Sequence, residues 1–318
     1  MSEAKCIPAA ACEILDKYLA YLQAVRGVSL RTLEAYSSDL SRYVNYCANY
    51  NIEPVKAEAY EVQSFIADYS AEQVSSVSIN RALSSIRGFY RWMLVKGKRS
   101  DDPCRKLRNV KTPKTLPSVL WEKEMAGFAQ LPDSAGILWP NRDKAIIMTM
   151  YSAGLRISEL VSIGMENITG SLEGAKISGK GGKERYVFFS EEAKEALIDY
   201  LPERAARLKT NCKKDESSGP LFVSRNGRKI SVPGVRWIIA RYAERSYLGK
   251  KIHPHSLRHS FATHLVNSGC DVRVVQEMLG HKSLSTTQRY THVNIEGLKK
   301  TYARAHPHAE KQGKINGR

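Results

Sequence analysis

At 318 residues the chain has room for two domains with sizeable cores and is too long for a disulfide-stapled miniprotein. Hydrophobic residues at 42% and charged residues at 25% lie near soluble-globular averages, which excludes a wholly disordered, collagen-like or repeat-biased chain. Forty-nine Lys and Arg against 32 Asp and Glu leave a net charge of +17, an excess that attracts polyanions, so nucleic acid is the leading partner class and a merely basic ribosome-like protein the bland alternative.

The first hundred residues carry helical periodicity in four blocks. Ile14, Tyr18, Leu22 and Val25 mark the first, Leu33, Tyr36, Leu40, Tyr43 and Cys47 the second, and Val62, Phe65, Ile66 and Tyr69 the third. The clearest is the fourth, where Ile79, Leu83, Ile86, Tyr90 and Met93 form one apolar stripe. Ser29 and Ser78 are the expected N-caps. On the fourth helix Arg81, Arg87 and Arg91 lie off the stripe, which suits contact with phosphates as well as it suits a solvated face. Residues 97 to 117 lack periodicity, and Pro103, Pro113 and Pro117 exclude a continuous helix. The segment reads as an interdomain linker whose Lys98, Arg99, Lys106, Arg108, Lys111 and Lys114 could follow a duplex, or as an ordinary solvated tether.

Beyond Leu116 the pattern is mixed. A helix is expected near Asn141 to Ser152, then strands at Ala175 to Ser178 and Arg185 to Phe189 joined by Gly179-Lys180-Gly181-Gly182, a hairpin with a lysine at its tip. Asn226-Gly227 signals a second hairpin between Leu221 to Val223 and Lys229 to Val232, and helices follow near 234–246, 255–268, 271–279 and 283–290. The fold class is therefore mainly α with a small β-sheet in the second domain (α+β), and the polar tail after His308 is expected to be disordered.

The six cysteines, at positions 6, 12, 47, 104, 212 and 270, form no CxxC pair, and no secretory signal pattern opens the chain. They read as reduced thiols of a cytoplasmic protein, and without 18 consecutive apolar residues no membrane span is expected.

His255 and Arg258, three apart at a helix start, would share a face beside free backbone N–H groups, an anion-binding arrangement. Arg156 follows Gly154 at a helix break and could project into a cleft, with Glu159 three residues on to orient it. Two arginines could clamp a phosphodiester and take the place of a metal, since no carboxylate cluster is evident. Tyr290 is then the candidate nucleophile, Lys180 the candidate donor of a proton to a leaving 5′ oxygen, and His255 a general acid or base. Taken singly, each is as readily a packed tyrosine, a turn lysine or a core histidine. A zinc reading of His253, His255, His259 and His264 lacks an acidic or thiolate third ligand at suitable spacing, so no metal and no cofactor is expected.

In order along the chain stand Gly154 to Leu160 (GLRISEL), Gly179 to Arg185 (GKGGKER), Pro254 to Leu265 (PHSLRHSFATHL), Leu279 to Ser283 (LGHKS) and Thr286 to Val293 (TTQRYTHV). With these motifs the chain resembles the tyrosine recombinase (phage-integrase-type) family, and most closely its Xer branch. Thr32, Tyr36, Asp39-Leu40 and the run from Ser78 to Trp92 extend the resemblance into the N-terminal bundle, so that it covers roughly residues 10 to 308.

The resemblance implies a helical core-binding domain at 8–97, a basic linker at 98–116, a catalytic domain at 117–305 and a polar tail at 306–318. It implies that Arg156 and Arg258 bind the scissile phosphate, Lys180 protonates the leaving group, His255 assists proton transfer, His281 hydrogen-bonds the phosphate and Tyr290 attacks. Glu159 supports them, and Arg81, Arg87, Arg91, Lys111, Lys114, Lys183 and Arg185 are candidate DNA contacts. It further implies a C-shaped clamp on double-stranded DNA and a homotetramer, or a heterotetramer with a paralogue. The helix from Ile295 to Ala305, anchored by Leu298 and Tyr302, would be donated to the neighbour. The role implied is resolution of chromosome or plasmid dimers, with a septal DNA translocase as a possible activator. A mobile-element integrase and a type IB topoisomerase are the alternatives.

Overall fold

The computed structural model describes residues 9–112, 118–134, 139–178, 184–211, 218–280 and 292–307. The chain divides into two compact units, Met1–Thr115 and Leu116–Arg318, each with its own hydrophobic core.

The first unit is built from α1 (Ala9–Ala24), α2 (Leu30–Asn49), α3 (Ala59–Ala71) and α4 (Ser76–Val95). All five apolar-stripe residues of α4 are buried, and Ile79, Ile86, Tyr90 and Met93 share one core with Tyr43, Phe65 and Tyr18 from the other helices. Burying each such side chain is worth about 1.5–3 kcal/mol. Inside this core the Tyr43 hydroxyl meets that of Tyr90 at 2.5 Å, and Tyr90 Oη donates to the Pro54 carbonyl at 2.9 Å, so the buried phenols are satisfied. Ser29 caps α2 as expected, accepting from the Thr32 N–H. The cap of α4, by contrast, is Ser75, and Ser78 lies one turn inside, donating its N–H to Ser75 Oγ. Val25 is also displaced from its expected place, because α1 ends at Ala24 and the side chain is exposed.

The expected tether is folded from 98 to 112. Cys104 is buried in the core, Leu107 and Val110 pack against it, and Asn80 grips Val110 from both sides, Nδ2 donating to its carbonyl at 2.9 Å and Oδ1 accepting its N–H at 2.8 Å. Apolar residues between the basic ones give this stretch something to bury, and a solvated tether has nothing of the kind.

The second unit opens with α5 (Glu122–Ser134) and α6 (Pro140–Ser152). Asp143 and every residue from Ala145 to Ser152 are buried, as befits a central helix packed by α5, by α8 (Glu191–Asn211) and by α10 (Pro254–Asn267). After the short α7 (Ile157–Ser162) and a 3₁₀ turn, β1 (Ile168–Thr169), β2 (Gly174–Ser178) and β3 (Glu184–Phe188) form an antiparallel sheet in sequence order. In its register Ile177 faces Arg185. The expected second hairpin contracts to a single bridge between Val223 and Lys229, because Ser231 caps α9 (Val232–Arg245) and takes Val232 into the helix. Then come α10, α11 (Val272–Leu279) and α12 (His292–Ala305). The fold is thus mostly helical with one small three-stranded sheet among the described residues.

The C-terminal helix packs on the core of its own chain. Tyr302 of α12 is buried in this chain's own core, its ring against Phe188 and its hydroxyl donating to the Ser152 carbonyl at 3.0 Å, while Leu298 packs against the same core. With a hydrogen-bonded phenol closing the end of α6, α12 is seated in cis. The expected helix at 283–290, the hairpin tip at 179–182 and the tail beyond His308 lie outside the described residues.

Candidate active site

The site begins at the end of α6, where Gly154 adopts φ +55° and turns the chain toward α7. A Cβ at Gly154 would collide with the ring of Phe261, so both the backbone and the space around it demand glycine. This turn sets Arg156 at the N-cap of α7 with Glu159 at its third residue. Glu159 Oε2 accepts the Arg156 N–H at 2.8 Å and Oε1 accepts Arg156 Nη1 at 2.7 Å, so one carboxylate caps the helix and orients the guanidinium.

Two further arginines meet the same carboxylate. Arg185, on the covered face of β3, donates Nη1 to Glu159 Oε1 at 2.8 Å and Nη2 to Oε2 at 3.0 Å, a two-pronged pair in which both side chains are only 5% exposed. Arg258 of α10 places Nη1 3.7 Å from Glu159 Oε2 and donates to the Gly154 carbonyl at 2.6 Å.

The C-terminal end of α11 completes the cluster. Arg185 Nε donates to the Met278 carbonyl at 3.0 Å, Arg258 Nη2 to that of Leu279 at 2.5 Å, and Arg156 Nη2 to that of Gly280 at 3.4 Å. Three successive carbonyls at the negative end of a helix each receive a guanidinium. Gly280, at φ +65°, closes α11, and the Arg185 guanidinium lies directly against it.

The electrostatics follow from three cations around one anion. Burial pushes the Glu159 carboxyl up, but the hydrogen bonds and charge of Arg185, then those of Arg156, outweigh it and hold the group below the ordinary carboxylate value. Burial, reinforced by the charges of Arg156 and Arg185 against the pull of Glu159, pushes Arg258 down to about 10, so it stays charged at neutral pH. Arg156 is the exposed member, with 41% of its side chain open to solvent. The cluster holds uncompensated positive charge with one open side, which suits an anion.

Other candidates are distributed differently. His255 is exposed at the start of α10 and stacks face to face on His259 with ring centroids 4.4 Å apart, whereas Arg258 turns inward, so the two do not share one solvent face. The Ser256 N–H beside them is taken by His253 Nδ1 at 3.0 Å, so that donor of the helix start is not free.

Arg185 is no surface DNA contact, because all three of its nitrogens are committed inside the protein. Arg81 forks onto the buried Asp39 with two 2.8 Å bonds, and Arg87 donates to Asn109 and to the Leu107 carbonyl, holding the folded segment against α4. Both arginines thus carry internal ties, while 46% of the Arg81 side chain stays open to solvent. Arg91 and Lys111 are exposed. Lys114, Lys180, Lys183, His281 and Tyr290 lie outside the described residues. Motif reading missed the carbonyls of Gly154, Met278, Leu279 and Gly280, which no side-chain pattern marks. It also missed the inward turn of Arg185, which the period-two alternation of β3 does encode.

A helical unit followed by a mainly α unit with a buried arginine cluster open on one side defines a protein built to hold an anion, and comparison with known proteins gives the family. Residues 123–296 match the phage integrase family and residues 15–97 the N-terminal SAM-like domain of phage integrases. Tyrosine recombinase XerC of Treponema denticola is 39% identical over 303 residues, covering 93% of this chain and 99% of that protein. Tyrosine recombinase XerC of Thermodesulfovibrio yellowstonii is 37% identical over 294 residues, covering 92% and 96%. Among solved structures, the XerH site-specific recombinase bound to palindromic difH substrate shares the fold, with a TM-score of 0.67 at 20% identity over 95% of this chain and 91% of that one. So does the Tn1549 transposon integrase in complex with a circular intermediate DNA, at TM-score 0.68 and 15% identity over 90% and 98%. The chain belongs to the phage integrase family of tyrosine recombinases, on its Xer branch, and is an enzyme of site-specific recombination that cleaves and rejoins DNA.

Proposed function

We propose that this recombinase cleaves DNA through a 3′-phosphotyrosyl intermediate in a tetrameric synapse, alone or with a paralogue, and that its role is to resolve chromosome or plasmid dimers in the cytoplasm before division. The observation that carries the chemistry is the arginine cluster held by Glu159 and the end of α11, open on the side of Arg156. Arg156 and Arg258 hold the non-bridging oxygens of the scissile phosphate, and His281 adds a hydrogen bond. The Tyr290 oxygen attacks phosphorus and the bond to the 5′ oxygen breaks. Lys180 supplies the proton that leaves with the 5′ hydroxyl, and His255 helps to move the proton released by Tyr290. The phosphotyrosine keeps the bond energy, so attack by a 5′ hydroxyl from the partner duplex rejoins the strand without a cofactor.

The unit at 8–97 serves as the core-binding domain and 117–305 as the catalytic domain. Exposed basic residues such as Arg91 and Lys111 on the first, with Lys114 and Lys183, contact the backbone. The naming of the curated relatives as XerC supports the dimer-resolution role over that of a mobile-element integrase.

Covalent capture tests this. Nicked duplexes with a randomised core, mixed with wild-type protein and with Tyr290→Phe, are run under denaturing conditions. Wild type is expected to form an adduct through the 3′ phosphate on a defined sequence, and Tyr290→Phe to bind DNA normally and form none. An adduct in the variant would overturn the nucleophile, and no wild-type adduct despite binding would overturn the reading.

A further inference from the structure

Within the cluster, Glu159 is a hazard as well as a support. Its carboxylate is nearly dry, and Oε2 forms an ion pair with Arg258 Nη1 at 3.7 Å, a small shift from a direct hydrogen bond. A carboxylate that closed to hydrogen-bonding distance of Arg258 would fill a donor that a phosphate oxygen needs. It is kept away by Arg185, which covers both carboxylate oxygens at 2.8 and 3.0 Å and is itself fixed by the Met278 carbonyl at 3.0 Å and by contact with Gly280.

We infer that Arg185 is a positioning residue for strand cleavage: it holds Glu159 off Arg258, leaving that guanidinium for the phosphate, and ties β3 to the end of α11 so that the three arginines share one frame. The inference rests on the reading of Arg156 and Arg258 as phosphate-binding groups. It separates Arg185 from the other basic residues of its motif, since its side chain is only 5% exposed and its nitrogens bond inside the protein. β3 starts four residues after Lys180, and the Arg185 anchor at Met278 lies three residues before His281, so one buried side chain ties together two described stretches that are close in sequence to both groups.

The test uses the full chain and the nicked duplex that wild-type protein selects by covalent capture, so that loss of the wild-type adduct reports on the underlying reading and not on Arg185. Arg185→Met is expected to bind that duplex within about twofold of wild type with an unchanged salt dependence. Its single-turnover rate of adduct formation is expected to fall about thirtyfold, equivalent to about 2 kcal/mol of transition-state stabilisation. The discriminating variant is the double change Arg185→Met with Glu159→Gln. Removing the carboxylate's charge abolishes the wrong pairing, so the double variant is expected to cleave faster than Arg185→Met alone. A structural role for Arg185 without this function predicts that the two losses multiply, and that result would overturn the inference. So would wild-type cleavage by Arg185→Met, or a shallower salt dependence, which would make Arg185 a phosphate contact. If Arg185→Met does not fold, Arg185→Lys is read in its place. It keeps a cation on Glu159 but loses the fork and the Met278 bond, and it is expected to be slowed less, and again to be accelerated by Glu159→Gln.

Discussion

Gly154 sits where a side chain fails twice, at a φ of +55° and against the ring of Phe261. Gly154→Ala is expected to cost about 2–4 kcal/mol, a left-handed alanine plus an overpacked contact, read as a lower denaturant midpoint of the second unit. Because the Gly154 carbonyl also receives Arg258, cleavage should fall by more than the folded fraction does. Glu159 gives a prediction in pH. Its folded value lies below the ordinary 4.5, so the stability it contributes is complete above about 4.5 and is lost as pH falls through the depressed folded value. The stability gap between wild type and Glu159→Gln, measured by urea unfolding, should therefore hold level from neutral pH to about 5 and close in more acid solution. At this scale the Arg156 and Glu159 pair was legible, because three residues on a helix start bring two side chains together. Arg185 was misread because a basic residue in a basic motif suggests solvent, while its place in the β3 alternation, beside the inward Val187, points to the interior.

Among the elements, α12 carries the clearest test. Tyr302→Phe removes the hydroxyl that satisfies the Ser152 carbonyl and is expected to cost about 1–2 kcal/mol, whereas Tyr302→Ala also empties a core site and should cost about 3–5 kcal/mol. Amide exchange along 292–305 should rise in the alanine variant before the rest of the unit is affected. The helices of the first unit, α6, and α9 to α11 were readable from apolar spacing and caps. The sequence reading passed over α5 and α8, each of which holds a proline, Pro132 and Pro202. Proline ordinarily ends a helix, but burial of Ala193, Ala196, Leu197 and Tyr200 before Pro202 and of Arg204 and Leu208 after it holds α8 continuous. The same tertiary override seats 98–112, where Cys104 and Leu107 outweigh a proline and a run of charges.

For the whole molecule, two cores with no residue in common predict two unfolding transitions. By calorimetry Phe65→Ala should lower one and Ile146→Ala the other, each by the several degrees that a loss of about 3–4 kcal/mol implies. The +17 charge predicts steep weakening of DNA binding with salt, as a linear fall of log affinity against log salt concentration. Charge and composition made the polyanion partner legible from the start, and five ordered motifs made the family legible. The carbonyl frame was not, because backbone oxygens leave no trace in a list of side chains.

That frame has a thermal consequence. Three guanidinium groups repel one another around a single carboxylate, and the fold holds them there with that carboxylate and four backbone carbonyls. A tetrahedral oxyanion entering on the side of Arg156 relieves that repulsion only in the native state, so free inorganic sulfate or phosphate should act as a stabilising ligand. The melting temperature of the second unit should climb with millimolar sulfate while that of the first stays put, and Arg258→Ala should erase the difference.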